Sequence, residues 1–183
     1  KLSKAREVLT IAVAPSFAEA WLMPNLGRFI RACPDIEVRL VTGDAGIHET
    51  DRNIDCEIRY GHGKWVGMDV EKIADDIIVP LACPEIAAKF GKNNEGNVLG
   101  SQLLIHTESR SYNWENWFRG RDEMPPENLI RMRVDRSPLA IKAAVDGVGI
   151  ALESVILASQ EIQEGLLVPI FLSTHPAAGH RRA

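Results

Sequence analysis

Ser137 and Pro138 open the stretch of this sequence best equipped for chemistry. Asp135-Arg136-Ser137-Pro138 precedes Leu139-Ala140-Ile141-Lys142-Ala143-Ala144-Val145, and Gly147 follows one residue later. Ser137 can accept a backbone N–H as an N-cap, and Pro138 at the first helical position gives up a donor that has no partner there. Ile141, Ala144 and Val145 share one face, and Gly147 can take the left-handed conformation that closes a helix. The first N–H groups of a helix are unpaired and its dipole is positive there. A capped start beside an arginine is therefore a ready-made anion site. A purely structural helix answers the same description.

Two other places invite a ligand. Pro15-Ser16 leads into a second helical pattern, with Ser16 as the natural N-cap and Glu19 three residues on to complete a capping box. Gly61 and Gly63 lie between Tyr60 and Trp65, a loop with aromatic walls in which a ligand could approach the backbone closely. A plain glycine turn with packed aromatics fits equally well.

Catalytic patterns are missing. The sequence has no Gly-x-Ser-x-Gly elbow, no Gly-x-x-x-x-Gly-Lys loop and no Gly-x-Gly-x-x-Gly after a strand. His48, His62, His106, His175 and His180 do not stand at metal-ligand spacing, and the carboxylates are scattered over positions that read as surface. No enzyme, metal or cofactor is expected. Cys33, Cys56 and Cys83 are far apart with no Cys-x-x-Cys pair, which reads as buried free thiols in a reducing cytosol.

The elements that must position these residues alternate. Residues 8–14 are a strand by their β-branched content, and Phe17, Trp21, Leu22, Leu26, Phe29, Ile30 and Cys33 recur at helical spacing. Pro24 should kink that helix or split off its first turn. Residues 36–41 alternate as a second strand, so a strand–helix–strand unit with a parallel sheet is expected. A short helix at 47–53 and strands at 56–60, 70–73 and 77–83 follow. Next come a short helix at 84–90, a polar turn at 92–100, a strand at 103–106 and a small helix carrying Trp114, Trp117 and Phe118. Arg110 sits in the loop before that helix. A loop at 120–128 and a strand at 130–134 lead into the helix of Ser137. Then come a strand at 148–152, a helix at 155–162 and an edge strand at 166–171 that confines Pro169.

At 183 residues, 45% hydrophobic and 25% charged, the chain has the composition of an ordinary globular protein. A net charge of −4 and a pI near 5.8 argue against a nucleic-acid grip by this chain alone. No apolar run is long enough to span a bilayer, and residues 1–10 do not resemble a signal peptide.

Taken together the motifs resemble the effector-binding domain of LysR-type transcriptional regulators, nearest the subgroup of the glycine-cleavage activator and the β-lactamase-induction regulator. The resemblance rests on Pro15-Ser16-Phe17-Ala18, Trp21-Leu22-Met23-Pro24-Asn25-Leu26, Phe29, Pro34 and Ile36. It continues through residues 54–67, Pro80-Leu81-Ala82-Cys83-Pro84, Leu103-Leu104-Ile105-His106, and Gly147-Val148-Gly149-Ile150-Ala151-Leu152. It covers about residues 7–171.

The resemblance implies an α/β fold of the type 2 periplasmic-binding-protein kind, two lobes joined by two crossing strands at 78–83 and 148–152. Lobe one would hold residues 8–79 plus 151–171 and lobe two residues 80–150, with 1–7 a linker end and 172–183 a disordered tail. A small effector would bind between the lobes, and the implied ligand-binding residues are Pro15, Ser16, Phe17, Arg59, Tyr60, Gly61, Trp65, His106, Arg110 and Ser137. Two helix starts with Arg59 or Arg110 nearby favour a carboxylate-bearing metabolite. Arg59 can equally be a strand residue paired with Asp55 or Glu57. The resemblance also implies a cytoplasmic homodimer or tetramer that meets DNA only through an N-terminal winged helix-turn-helix. That head and the strand and helix that normally follow Phe171 do not appear in this sequence. A periplasmic solute-binding protein of the same fold is the alternative, and a membrane partner is not expected.

Overall fold

The structure, a computed structural model, describes residues 7–43, 53–61, 63–90, 102–121 and 130–170. These fall into two compact units that divide between Asp75 and Asp76.

The first unit is built on β1 (Glu7–Val13), β2 (Ile36–Thr42) and β3 (Cys56–Ile58). β1 lies in the middle and is parallel to both neighbours, as the expected strand–helix–strand order requires. The connection between β1 and β2 is helical throughout: α1 (Pro15–Phe17), a π-helical turn (Ala18–Leu22) and α2 (Met23–Ala32). Its capping residue is Ala14, whose carbonyl accepts the N–H groups of Phe17 and Ala18 at 3.1 and 3.0 Å. Ser16 is therefore inside the helix and caps nothing. Pro15, with φ preset for a helix, starts it earlier than the Ser16 capping box would.

The π turn lies where Pro24 was expected to disturb the helix. Proline has no N–H to give and crowds the carbonyl four residues back, and a widened turn relieves both. Met23 N–H reaches back five residues to Ala18, and Asn25 Nδ2 donates to the Trp21 carbonyl at 2.7 Å. Ala18 and Leu22 are buried against Val13, with Phe17, Trp21, Leu40 and Ile58 packed around them. Beyond that turn α2 buries no residue, and Ile30 is 48% exposed. The strand expected at 70–73 is absent. Residues 68–77 carry no regular secondary structure and Val70 and Ile73 are exposed; β-branched residues form a strand only where a ladder partner is at hand. The helix expected at 47–53 lies almost wholly outside the described residues.

The second unit is a five-stranded mixed sheet in the order β6-β5-β7-β4-β8. Its strands are β4 (Ile78–Ala82), β5 (Leu104–Thr107), β6 (Ile130–Val134), β7 (Ile150–Ser154) and β8 (Val168–Pro169). β5 runs parallel to β6 and β7, while β4 is antiparallel to β7 and β8. The two strands expected to cross between lobes, at 78–83 and 148–152, thus lie side by side, and Leu81 pairs with Ala151. β7 begins two residues late because Gly147, at φ 73°, ends the preceding helix and Gly149 must pass close to β5. A Cβ on Gly149 would lie 2.2 Å from the Leu103 carbonyl oxygen. The next residue makes the first ladder bond, Ile150 N–H to that same carbonyl at 2.8 Å.

Among the described residues four helices accompany this sheet: α3 (Pro84–Ala87), α4 (Trp114–Arg119), α5 (Ser137–Val145) and α6 (Ser159–Gln163). α4 opens with a reciprocal cap, Asn113 Oδ1 accepting the Asn116 N–H at 3.0 Å and Asn116 Oδ1 accepting the Asn113 N–H at 3.1 Å. Trp114, Trp117 and Phe118 enter a core with Ile78, Leu104, Ile150 and Leu152, and Trp114 Nε1 donates to the Ile105 carbonyl at 2.8 Å. α6 starts later than residue 155 because Ser154 Oγ captures the N–H groups of Ile156 and Leu157 at 3.1 and 3.2 Å, holding that segment as a turn. β8 is an edge strand that carries Pro169, as expected. Of the three thiols, all free, only Cys83 is buried; Cys33 is half-buried and Cys56 exposed, which corrects the uniformly buried reading.

Candidate functional site

The polar centre of the second unit forms where four segments end together. β5 delivers Thr107 and the loop after it delivers Arg110. β7 delivers Glu153 and Ser154, α5 starts at Ser137, and Asp76 stands just before β4. Arg110 Nε lies 3.0 Å from Glu153 Oε2 and donates to Ser137 Oγ at 3.1 Å. Arg110 Nη1 is 3.5 Å from Asp76 Oδ2. Thr107 Oγ1 donates to Glu153 Oε1 at 2.6 Å, and Ser154 Oγ donates to Asp76 Oδ1. Glu153 is wholly buried, and a buried carboxylate persists only when paired and hydrogen-bonded, as this one is.

Ser137 proves to be the first helical residue of α5, after Arg136 as N-cap, and its hydroxyl caps nothing. It is 2% exposed, and its oxygen faces Arg110.

Beside this cluster, His106, Thr107, Arg110, Tyr112, Asn113 and Trp114 line a shallow surface depression open to solvent. Burial is the main cause holding the His106 imidazole below its ordinary value; Arg133 adds to it, while Glu108 and Glu115 oppose. Burial likewise pushes the Tyr112 phenol up. At neutral pH both rings are uncharged, each with a donor and an acceptor to offer.

The first-unit candidates form two groups. Pro15, Ser16 and Phe17 are half-buried at the start of α1, with the Phe17 ring 5.1 Å from that of Trp21. Arg59 is paired with Glu57, Nε to Oε1 at 2.7 Å, and its guanidinium lies 5.9 Å from the Trp65 ring centroid. Asp55 instead accepts the Thr10 N–H at 2.7 Å, so of the two acids considered for Arg59 it is Glu57 that holds it. Gly61 is set against Trp65: a Cβ there would fall 2.9 Å from the indole. Tyr60 is 68% exposed and joins neither group, and His62 lies outside the described residues.

Asp76, Thr107, Glu153 and Ser154 were not singled out from the sequence, and Glu153 contradicts the reading of the carboxylates as surface groups. A signal was available. Thr107 closes β5 one residue after His106, and Glu153 directly follows the apolar run 150–152, both at C-terminal strand ends, where parallel α/β sheets gather the groups that meet ligands.

The architecture is that of the LysR effector-binding domains, a mixed α/β fold of the type 2 periplasmic-binding-protein kind. The family model of the LysR substrate binding domain matches residues 3–181, and this chain belongs to that family. It is 38% identical over 167 residues to the HTH-type transcriptional regulator PerR of Escherichia coli K12, a match covering 91% of this chain and 55% of that protein. It is 31% identical over 170 residues to the glycine cleavage system transcriptional activator of the same strain, covering 90% of this chain and 53% of that protein. Among solved structures, the AmpR effector binding domain from Citrobacter freundii superposes with a TM-score of 0.74 at 26% identity, over 94% of this chain and 84% of that one. The chain thus spans about half the length of the regulators it matches. These relatives are transcriptional regulators, and no helix among the described residues is long and apolar enough to cross a membrane.

Proposed function

We propose that this chain senses a small, carboxylate-bearing metabolite on behalf of a LysR-type regulator. One observation carries the reading: the first residue of α5, Ser137, is bonded to Arg110, so a helix N-terminus and a guanidinium adjoin. Both favour an anion, and charge-assisted hydrogen bonds to it contribute about 1.5–3 kcal/mol each. The proposed contacts are Pro15, Ser16, Phe17, Arg59, Tyr60, Gly61 and Trp65 in the first unit and His106, Arg110 and Ser137 in the second. Tyr60 and Trp65 supply an apolar wall in this reading, which fits an amino acid or a short peptide derivative.

The lobe division of 8–79 plus 151–171 against 80–150 belongs to the same proposal. So do the cytoplasmic setting, the homodimer or tetramer, and DNA contact through an N-terminal winged helix-turn-helix outside this sequence. Pairing of the helical run 17–32 with residues 155–162 of a second copy is supported by Met23 and Ile30, which stand 55% and 48% exposed. Sedimentation at micromolar concentration tests it, and a strictly monomeric species overturns it.

A thermal-shift screen of metabolites tests the ligand class. Carboxylates should raise the midpoint of the wild type, and the shift should shrink in Ser137→Ala. Stabilisation by neutral or cationic compounds alone overturns the carboxylate reading.

A further inference from the structure

Arg110 has one fixed counter-charge and one that is loosely held. Glu153 is fully buried, its Oε2 is 3.0 Å from Arg110 Nε, and Thr107 ties its other oxygen. Asp76 Oδ2 stands 3.5 Å from Arg110 Nη1, beyond a good hydrogen bond, and its side chain keeps 17% exposure. Two carboxylates against one guanidinium leave an excess negative charge at the group best fitted to bind an anion. An incoming carboxylate would be the third acid on that guanidinium, and like charges at such range disfavour one another strongly. It can settle there only by taking the place of the partner that is held least.

We propose that Asp76 occupies, on Arg110, the seat of the effector's carboxylate, so that the effector binds by exchange and Asp76 sets the affinity and charge preference of the subsite. This rests on the reading that the effector carries a carboxylate. Replacement of Asp76 by one carboxylate leaves the charge in direct contact with Arg110 unchanged, whereas a dianion adds to the excess. Monocarboxylates are therefore preferred. The displaced Asp76 stays tethered, because the Ser154 hydroxyl still donates to its other oxygen.

Acetate is the probe. The full-length protein is melted in increasing acetate, with chloride holding the ionic strength constant. Removing the like charge in Asp76→Asn should tighten the apparent acetate affinity about tenfold, and adding Arg110→Gln to that variant should abolish the gain. Equal acetate responses in wild type and Asp76→Asn, or a gain that survives Arg110→Gln, overturn the proposal. Asn can still accept from Ser154, and Asp76→Ser gives the same comparison should the first variant fail to fold. In the wild type, ¹⁵N NMR of the Arg110 Nε–H must show a saturable shift with acetate; an unmoved resonance overturns the exchange without any substitution. The two readings fail separately. A carboxylate metabolite that stabilises wild type and Asp76→Asn equally removes the exchange alone. A barren metabolite screen beside a tenfold acetate gain removes the effector class alone.

Discussion

Thr107 donates its hydroxyl to Glu153 across 2.6 Å, joining the C-terminal ends of two adjacent strands, β5 and β7, whose residues are 46 apart in sequence. Glu153 is 0% exposed, so this bond and the Arg110 pair are what make its charge tolerable. Glu153→Ala removes one of the two acids beside Arg110 and the acceptor of the Thr107 hydroxyl, and should cost about 1–3 kcal/mol in urea unfolding. Thr107→Val should cost about 1–3 kcal/mol, because it leaves one carboxylate oxygen unsatisfied. The double variant should lose less than the sum of the two. Strict additivity would mean that the contact does not stabilise the fold.

Gly149 tolerates no side chain. Its neighbour is backbone, the Leu103 carbonyl, which cannot swing away and which also accepts the first ladder bond of β7. Gly149→Ala should therefore destabilise by more than about 2 kcal/mol, as a strained backbone shift. Gly147→Ala meets only the Cys83 sulfur at 3.7 Å but must hold φ at 73°, and should cost about 1 kcal/mol. Chemical denaturation of the two variants side by side checks the ordering.

His106 predicts an acid limb. Burial first, then Arg133, lowers its folded value below the unfolded one, so the native state binds fewer protons. Its contribution is complete above about pH 6.5 and is lost as pH falls below that, where the unfolded chain takes up the proton first. His106→Gln should flatten the fall in melting temperature between neutral pH and pH 5. Parallel curves for the two proteins would show that the ring titrates as it does in the unfolded chain.

Arg59 predicts an optical change. It carries both the Glu57 pair and the approach to Trp65. Arg59→Ala should cost about 1 kcal/mol and change the Trp65 emission. Arg59→Lys keeps the charge and should restore part of the stability, since a point charge replaces the planar fork poorly. An unchanged spectrum in Arg59→Ala would remove the guanidinium–indole contact.

Much of this fold is written in local pattern. The β-branched run at 8–13, the alternation at 36–41, the uncharged run at 78–82 and the tryptophans of α4 each announce their element. Boundaries slip where proline decides them: Pro15 starts its helix ahead of the serine that looks like a cap, and Pro24 is absorbed by a π turn whose width no periodicity shows. Val70 to Ile73 have strand propensity but lack a ladder partner among the described residues, and partnership is a property of the whole sheet. The candidate cluster was half legible. Arg110 and Ser137 stand in loops and helix starts, where ligand chemistry is sought. Glu153 looked like any surface acid, because the group that makes its burial possible arrives from a different strand end.

The position of β4 has a consequence for biosynthesis. It lies between β7 and β8 in the sheet, yet Ser154 follows Asp76 by 78 residues. A ribosome adding about 5–20 residues per second leaves β4 without its partner for roughly 4–16 s. For that interval Ile78 and Leu81 lie on a strand with both edges open, the arrangement most prone to pair with another chain. Translation rate and chaperone supply therefore bear on how long this open strand is exposed to other chains.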